Sequence, residues 1–568
     1  MIISKNTFEE GQTLTADLCL IGSGPAAISI ALSLENTPLR VLVLTGGGWT
    51  ETLANQDLYR GVVPQAGTHE PLEENRRRQF GGSSAAWGGR CIPFEPLDFK
   101  PRAWVPDSGW PITYEELLPY YHKAADVCQI GRFEFDGHQA FPSGQREILA
   151  GMDSEELTSG PLERWSPPVH FAKTYQGILE NSRNIQVLLD AHVLSLETED
   201  DHSTTVGHVR VRMEGRELRV KARQFVLATG GIENARLLLA STSARFPTGL
   251  GNQHDNVGRY YMAHICGVYT DIRLHDNKKL QADFERDAGG VYCRRRWWIP
   301  EPAQENHQLL NTIFFLYHAK NENGHRDVLF SSRFVAKSLL FILSQGRKSM
   351  SRGVQQARQQ LPALREHLAN ILSNGLTEIP DLVRLGLKRM AKRRVPYLLP
   401  SRRNPYWGLY IQAEQAPNRE SRICLSETEK DAFGMPRAEV KLAFLESDVE
   451  SVVQAHKLFV ERFKALDLGE INCEEADLRD HIRKHIASFN SSAHHIGTTR
   501  MSEDPRTGVV DKHAKVHGLD NLYVAGSSVF PTGGHANPTL TIVAHALLLA
   551  DHLKAEALTP VREAQLVG

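Results

Sequence analysis

The stretch ADLCLIGSGPAAISIALSLENTPLRVLVL, residues 16–44, constrains the fold more than any other part of the chain. The apolar run Leu18 to Ile21 leads into Gly22-Ser23-Gly24-Pro25-Ala26-Ala27, a helical pattern follows, and a second apolar run spans Val41 to Leu44. That order reads as strand, tight turn, helix and strand. In such a unit Gly22 permits the turn, Gly24 lets a pyrophosphate approach the backbone, and small Ala27 lets helix and strand pack closely, with the helix N-terminus facing the negative charge. A glycine-rich turn in an unrelated α/β fold is the rival reading. One position departs from a dinucleotide site: the acidic residue expected to bind ribose after the second strand is replaced by Thr45, whose neutral hydroxyl hydrogen-bonds a ribose less strongly than a carboxylate does.

Two further glycine-rich segments point to a long ligand. In RQFGGSSAAWGGRCIPFEPLDF, Gly81, Gly82, Gly88 and Gly89 flank a Ser/Ala stretch that starts at Ser83 and ends before Trp87, as a chain passing close over a flat cofactor requires. In QFVLATGGIENARLLLAS, a strand from Phe225 to Ala228 runs through Thr229 into a turn at Gly230-Gly231 and a helix carrying Leu237, Leu238 and Leu239. Near the C-terminus, LYVAG (Leu522 to Gly526) reads as a buried strand ending in glycine, and Pro538 to Leu553 as a helix with Pro538 in its first turn. Pro531 to Asn537 is then a loop at a strand's carboxyl end pointing at a helix N-terminus, where ligands bind in open α/β sheets.

At 568 residues, 41% of them hydrophobic, the chain has material for more than one domain. Its 65 basic and 67 acidic residues nearly cancel, so no global positive field exists to hold nucleic acid. Seven cysteines lie far apart without a C-x-x-C pair, which argues against a zinc ribbon, an iron–sulfur cluster or a disulfide scaffold; no metal site is expected. The first residues are polar and charged where a secretory signal needs an apolar core, so a cytoplasmic location is expected. The nearest apolar run, Ser338 to Gln345, is cut by Lys337 and Arg347 and is too short to span a membrane.

Taken in order, the N-terminal turn, GGSSAAWGG, GWPITYEELLPYY, ATGGIENARLL, NVGRYYMAH, EQAPNRESRICLS and the tail from SSAHHIGTTR to HANPTLT give a resemblance over nearly the whole length. The chain resembles the glucose–methanol–choline (GMC) oxidoreductases, FAD-dependent alcohol oxidases and dehydrogenases, and is nearest in flavour to bacterial sugar, glycoside and pyranose-oxidase-like members. The resemblance implies an α/β fold with a discontinuous Rossmann-type FAD-binding domain over 1–100, 175–264 and 490–568. A substrate-binding domain of α+β type with an antiparallel sheet would cover 101–174 and 265–489.

The same resemblance implies site residues. Family members carry a histidine three residues before the glycine of a Gly-Thr pair, here His494 before Gly497-Thr498, and a second catalytic histidine or asparagine, here Asn537. A histidine near neutrality takes the proton of an alcohol while hydride leaves the carbon for the flavin, and Asn537 holds the same oxygen by its amide. Besides the turn residues already named, Val193, Gly526, Ser527, Pro538 and Thr539 are implied cofactor contacts, the flavin pyrimidine lying at a helix N-terminus. Where some relatives bind flavin covalently through a histidine directly before the tryptophan, this chain has Ala86 before Trp87. Non-covalent FAD is therefore expected, with His69 and His122 the nearby exceptions. The implied reaction is alcohol to carbonyl, with oxygen or another acceptor reoxidising the flavin; the preferred substrate is a sugar or glycoside hydroxyl. A same-fold lyase, a light-driven decarboxylase and a flavin-binding module without turnover are the alternatives.

Other residues carry weaker readings. His495 takes the base role if the loop register differs by one, His535 either lines the site or makes a structural hydrogen bond, and His264 is a packing or hydrogen-bonding residue. Thr113 caps a helix with Glu116 reaching back. Stretches such as GVYTDIRL and LLNTIFFLYH suit a sheet over the flavin. Trp297, Trp298, Phe314, Phe315 and Tyr317 either stack on a sugar or pack a core, the core being the commoner fate. Residues 345–403 carry 13 Lys or Arg against Glu366, Glu378 and Asp381, a net of +10. Leucines near helical spacing make this segment read as basic amphipathic helices, either a solvated face or a contact with an anionic membrane, a partner or an acidic substrate.

Overall fold

The computed structural model describes residues 1–4, 8–65, 67–141, 146–277, 280–318, 404–487 and 494–558. Between 328 and 399 it describes 328, 331–332, 334–336, 338, 364–375, 395–396 and 399. The amphipathic reading of 345–403 falls mostly outside the described residues. Within it, residues 364–374 are helical, with Leu368 and Leu372 exposed.

Among the described residues the largest sheet has eight strands. Its parallel part runs in the order Ile2–Ile3, Ile185–Leu188, Val41–Leu44, Thr13–Ile21 and Arg216–Leu227, with Leu522–Val524 also parallel to the last. Helix Pro25–Ser33 makes the connection from Thr13–Ile21 to Val41–Leu44. The strands Val206–Met213 and His192–Thr198 extend the sheet in antiparallel fashion from the first half of Arg216–Leu227. The sequence explains the split: Thr13–Ile21 is partly exposed over its first residues, but Leu18, Cys19, Leu20 and Ile21 are all buried, the continuous apolar run of a strand covered on both faces. One cover is the helix Thr539–Leu558, which packs on Pro25–Ser33 and on Tyr114–Val127.

A second sheet is wholly antiparallel: Trp297–Trp298, Thr312–Tyr317, Tyr406–Glu414, His264–Leu274 and Gly469–Ile471 in that order. Helix Glu446–Ala465 covers it and forms a separate core in which Val452, Phe459 and Phe463 meet Trp297, Phe314 and Trp407. Trp297 and Phe459 stand edge to face, 5.0 Å between ring centroids. Trp297 and Phe314 are thus core residues. Phe315 stacks on Tyr410 at 4.6 Å under the Arg294 guanidinium. The helix start at Thr113 is as read: Thr113 Oγ1 accepts from the Glu116 amide, and the Glu116 carboxylate accepts from the Thr113 amide. The helix it begins, Tyr114–Val127, buries Leu117, Tyr121 and Ala124 in the core of the first sheet, although the sequence reading assigns 101–174 to the other unit. The physical reason is the Tyr121 hydroxyl, bonded to Thr541 on helix Thr539–Leu558.

At Gly22 two parallel strands approach closely. Its φ is +114°, and a Cβ there would stand 2.3 Å from the carbonyl oxygen of Ala228, at the end of the neighbouring strand; a Cβ on Gly24 would meet nothing within 4 Å. Gly22→Ala is therefore expected to cost about 1–3 kcal/mol through backbone strain alone, whereas Gly24→Ala should stay within about 0.5 kcal/mol of the parent. Denaturation midpoints of protein stripped of small ligands check this; equal midpoints for the two variants would contradict it.

Candidate active site

Four neighbouring strands of the first sheet end at one cavity of about 560 Å³. Thr13–Ile21 delivers Gly22, Ser23 and Gly24; Val41–Leu44 delivers Thr45 and Gly46; Arg216–Leu227 delivers Ala228, Thr229 and Gly230; Leu522–Val524 delivers Ala525, Gly526 and Ser527. Helices Pro25–Ser33 and Gly231–Ala240 start there, each behind a glycine N-cap with no side-chain cap, so their first amides point at the cavity mouth without a side-chain acceptor. Asn234 locks two of the turns together: its Oδ1 accepts from the Thr229 amide at 2.9 Å and hydroxyl at 2.6 Å, and its Nδ2 donates to Ser528 Oγ at 2.9 Å and to the Ala525 carbonyl.

Of the residues read from sequence as cofactor contacts, Gly22, Gly24, Thr45, Gly82, Ser83, Trp87, Gly88, Gly89, Val193, Thr229, Gly230, Gly526, Ser527, Asn537, Pro538 and Thr539 line this cavity. Ala27 and Gly81 do not. Ala27 is buried within its helix, against the sheet. Gly81 shapes its turn from behind, where a Cβ would meet the His170 ring at 2.9 Å. Thr45 is partly engaged already, accepting from Ser23 Oγ at 2.7 Å and donating to the Gly47 carbonyl at 3.3 Å. Ala86 lines the cavity beside Trp87, whose indole donates to the Val169 carbonyl. Neither His69 nor His122 lines it: His69 is buried and bonded to the Tyr261 hydroxyl, and His122 lies exposed against Phe133.

His494 and Asn537 come together at one end. His494 Nε2 lies 3.0 Å from Asn537 Nδ2, and His494 Nδ1 lies 2.8 Å from Nδ1 of His264. Asn537 Oδ1 faces Gln412 Nε2 at 3.4 Å, and Gln412 Oε1 accepts from Arg90 at 2.8 Å. Arg90 is in turn paired with Glu163. Burial first, then His264, Arg90 and His495, drives the His494 pKa well below the ordinary imidazole value, so the ring is a neutral acceptor at physiological pH. His495 lines the cavity too, stacked on Tyr261. His535 makes the structural bond: it is buried between Arg296 and Glu95 and does not line the cavity.

Several cavity residues escaped the sequence reading. Arg76 and Arg236 pair with Glu233, Arg236 also pairing with Asp431, and although burial alone would raise the Glu233 pKa, Arg236, Arg76 and Arg78 hold it at about 2. Arg90 follows directly on Gly88-Gly89, a position that could have flagged it. Behind the cavity, Gln412 carried no local signal, and nothing local tied His264 to His494.

Among the described residues no helix is long and apolar enough to cross a membrane. Residues 417–546 match the family model described as GMC oxidoreductase. The fructose dehydrogenase large subunit of Gluconobacter japonicus is 23% identical over 95% of this chain and 98% of its own. The 6'''-hydroxyparomomycin C oxidase of Streptomyces lividus is 24% identical over 95% of this chain and 92% of its own. Among solved structures, pyridoxine 4-oxidase from Mesorbium loti superposes with a TM-score of 0.56 at 16% identity, over 95% of this chain and 99% of that one, a likeness of fold. The family match in the C-terminal part and relatives aligned along nearly the whole length make the chain similar to the GMC oxidoreductases.

Proposed function

We propose that the protein holds FAD non-covalently in this cavity and oxidises an alcohol, preferably a sugar or glycoside hydroxyl, to a carbonyl, with His494 as the base. The observation that carries the reading is the neutral His494 ring at the end of a cavity built from four strand ends, with Nε2 beside the amide of Asn537. The cavity suits the cofactor: a Cβ on Gly24, Gly88, Gly230 or Gly526 would meet nothing within 4 Å, so backbone is bare to a ligand along its length, and uncapped helix starts supply donors for a pyrophosphate. The FAD unit would comprise 1–100, 175–264 and 490–568, and the antiparallel sheet within 265–489 would carry the substrate side.

When bound, the flavin supplies the acceptor for the hydride of the alcohol carbon. His494 Nε2 takes the hydroxyl proton as that hydride departs. Asn537 holds the same oxygen through its amide and is kept in orientation by Gln412. The preference for sugars is supported by fructose dehydrogenase and hydroxyparomomycin C oxidase among the relatives. Non-covalent binding is supported by Ala86, which has no nucleophile to offer.

Denaturing the yellow protein should therefore release FAD into the supernatant; colour that stays with the precipitated chain would refute non-covalent binding. The depressed His494 pKa fixes the sign of the pH effect. A base whose folded pKa lies well below 6.5 remains unprotonated as pH falls through that value, so the rate of anaerobic flavin reduction should stay level from pH 8 to pH 6. His494→Ala should lie about 10²- to 10⁴-fold lower across that range with FAD retained. An inflection near pH 6.5 in the parent, or parental rates in His494→Ala, would contradict the assignment.

A further inference from the structure

His264 is the buried group closest to the proposed base that the mechanism above does not use. It begins the strand His264–Leu274 and stands in register with Glu414 on the neighbouring strand, so the antiparallel sheet delivers it to the loop that carries Asn537. Its Nε2 lies 2.9 Å from the carbonyl oxygen of Gly534 and its Nδ1 2.8 Å from Nδ1 of His494, the two rings crossing at 87°.

These contacts leave one consistent arrangement of protons. A carbonyl only accepts, so Nε2 of His264 carries a hydrogen. A neutral ring then has its lone pair on Nδ1, and the 2.8 Å contact between two ring nitrogens requires that one of them donate; the donor is Nδ1–H of His494. His494, neutral in turn, is left with its lone pair on Nε2, the nitrogen that faces Asn537. The amide on that side agrees, because Asn537 turns Nδ2–H toward His494 and its Oδ1 toward Gln412. The reverse arrangement, with Nε2 of His494 protonated, would set two bare nitrogens against each other at 2.8 Å.

The geometry points to His264 as a positioning residue that selects the tautomer of His494 competent to accept a proton at Nε2. This inference rests on the reading of His494 as base. The selector is itself held in place. The Gly534 peptide that fixes it offers its amide to the Glu414 carboxylate, and Glu414 is clamped by Arg102 through two bonds of 2.7 and 2.6 Å. A Cβ on Gly534 would come 2.5 Å from Asp98 Oδ2, so that turn packs closely on Asp98 with no room for a side chain. Burial keeps His264 neutral, its pKa lowered to about 4 against the opposing pull of its Gly534 and Gly533 contacts. The charged and titratable groups facing the pair are Glu414, Arg90 and His495. Were His264 to take a second proton, its Nδ1–H would donate toward His494 and force the hydrogen there onto Nε2, silencing the base.

Two substitutions of similar polarity separate tautomer selection from mere packing. In His264→Asn the side-chain oxygen stands where Nδ1 stood and still accepts from His494; in His264→Gln the amide reaches Gly534 but leaves His494 Nδ1 without its acceptor. Stopped-flow reduction of the FAD-loaded enzyme under anaerobic conditions should show His264→Gln slowed at least about tenfold in limiting rate, part of the range for general-base loss. Its apparent substrate dissociation constant should stay within about twofold, the split expected when only the chemical step is touched. His264→Asn should recover most of the limiting rate. Equal slowing in both variants, or parental rates in His264→Gln while His494→Ala is slow, would overturn the inference alone. Parental rates in His494→Ala would remove the base reading, and the inference with it.

Discussion

The close approach of two parallel strands at their carboxyl ends is the constraint on which the rest of the molecule depends. Thr13–Ile21 and Arg216–Leu227 pair in register up to Ile21 and Leu227, and the next residue, Gly22, sits where a side chain would strike the Ala228 carbonyl. Because the turn there is so tight, the helix that follows starts at the sheet's edge, and its amides open onto the space where Thr45, Gly230 and Gly526 also arrive. A side chain at Gly22 would strike the Ala228 carbonyl and strain the approach of these two strand ends.

Chemistry is assembled across the two cores. The parallel sheet and its loops supply His494 and Asn537, while the antiparallel sheet supplies His264 and Gln412 from adjacent strands. The His494 ring is thus held from both sides, its Nδ1 by a ring from the second sheet and its Nε2 by an amide that faces the second sheet. A polar network as buried as this one is stabilising only when every member is satisfied. Arg90, bonded at once to Gln412 and Glu163, ties it to the strand Leu162–Trp165, although the Arg90 Nε is buried without a partner.

Much of the scaffold was legible in the sequence because its determinants are local. The run Leu18 to Ile21, the glycines around Ser23, Pro25 in the first helical turn and the Thr113/Glu116 box each act within a few residues, and each is found where its chemistry requires. The pairing of His494 with Asn537 came from the resemblance. His264 was read only as a packing or hydrogen-bonding residue, since its contacts lie 230 and 270 positions away and depend on strand register. The side on which Tyr114–Val127 packs was not legible for a related reason. Its capping box declares a helix, but only the Tyr121–Thr541 bond declares which sheet it covers.

In the proposed function, bound flavin is reduced by an alcohol whose proton passes to His494. Anaerobic titration of the holoenzyme with a panel of sugars, glycosides and simple alcohols, followed by the visible absorbance of the flavin, tests it most directly. Bleaching by at least one sugar or glycoside is expected, with one carbonyl formed per flavin reduced. Flavin that dithionite bleaches but no hydroxyl compound on the panel does would contradict it.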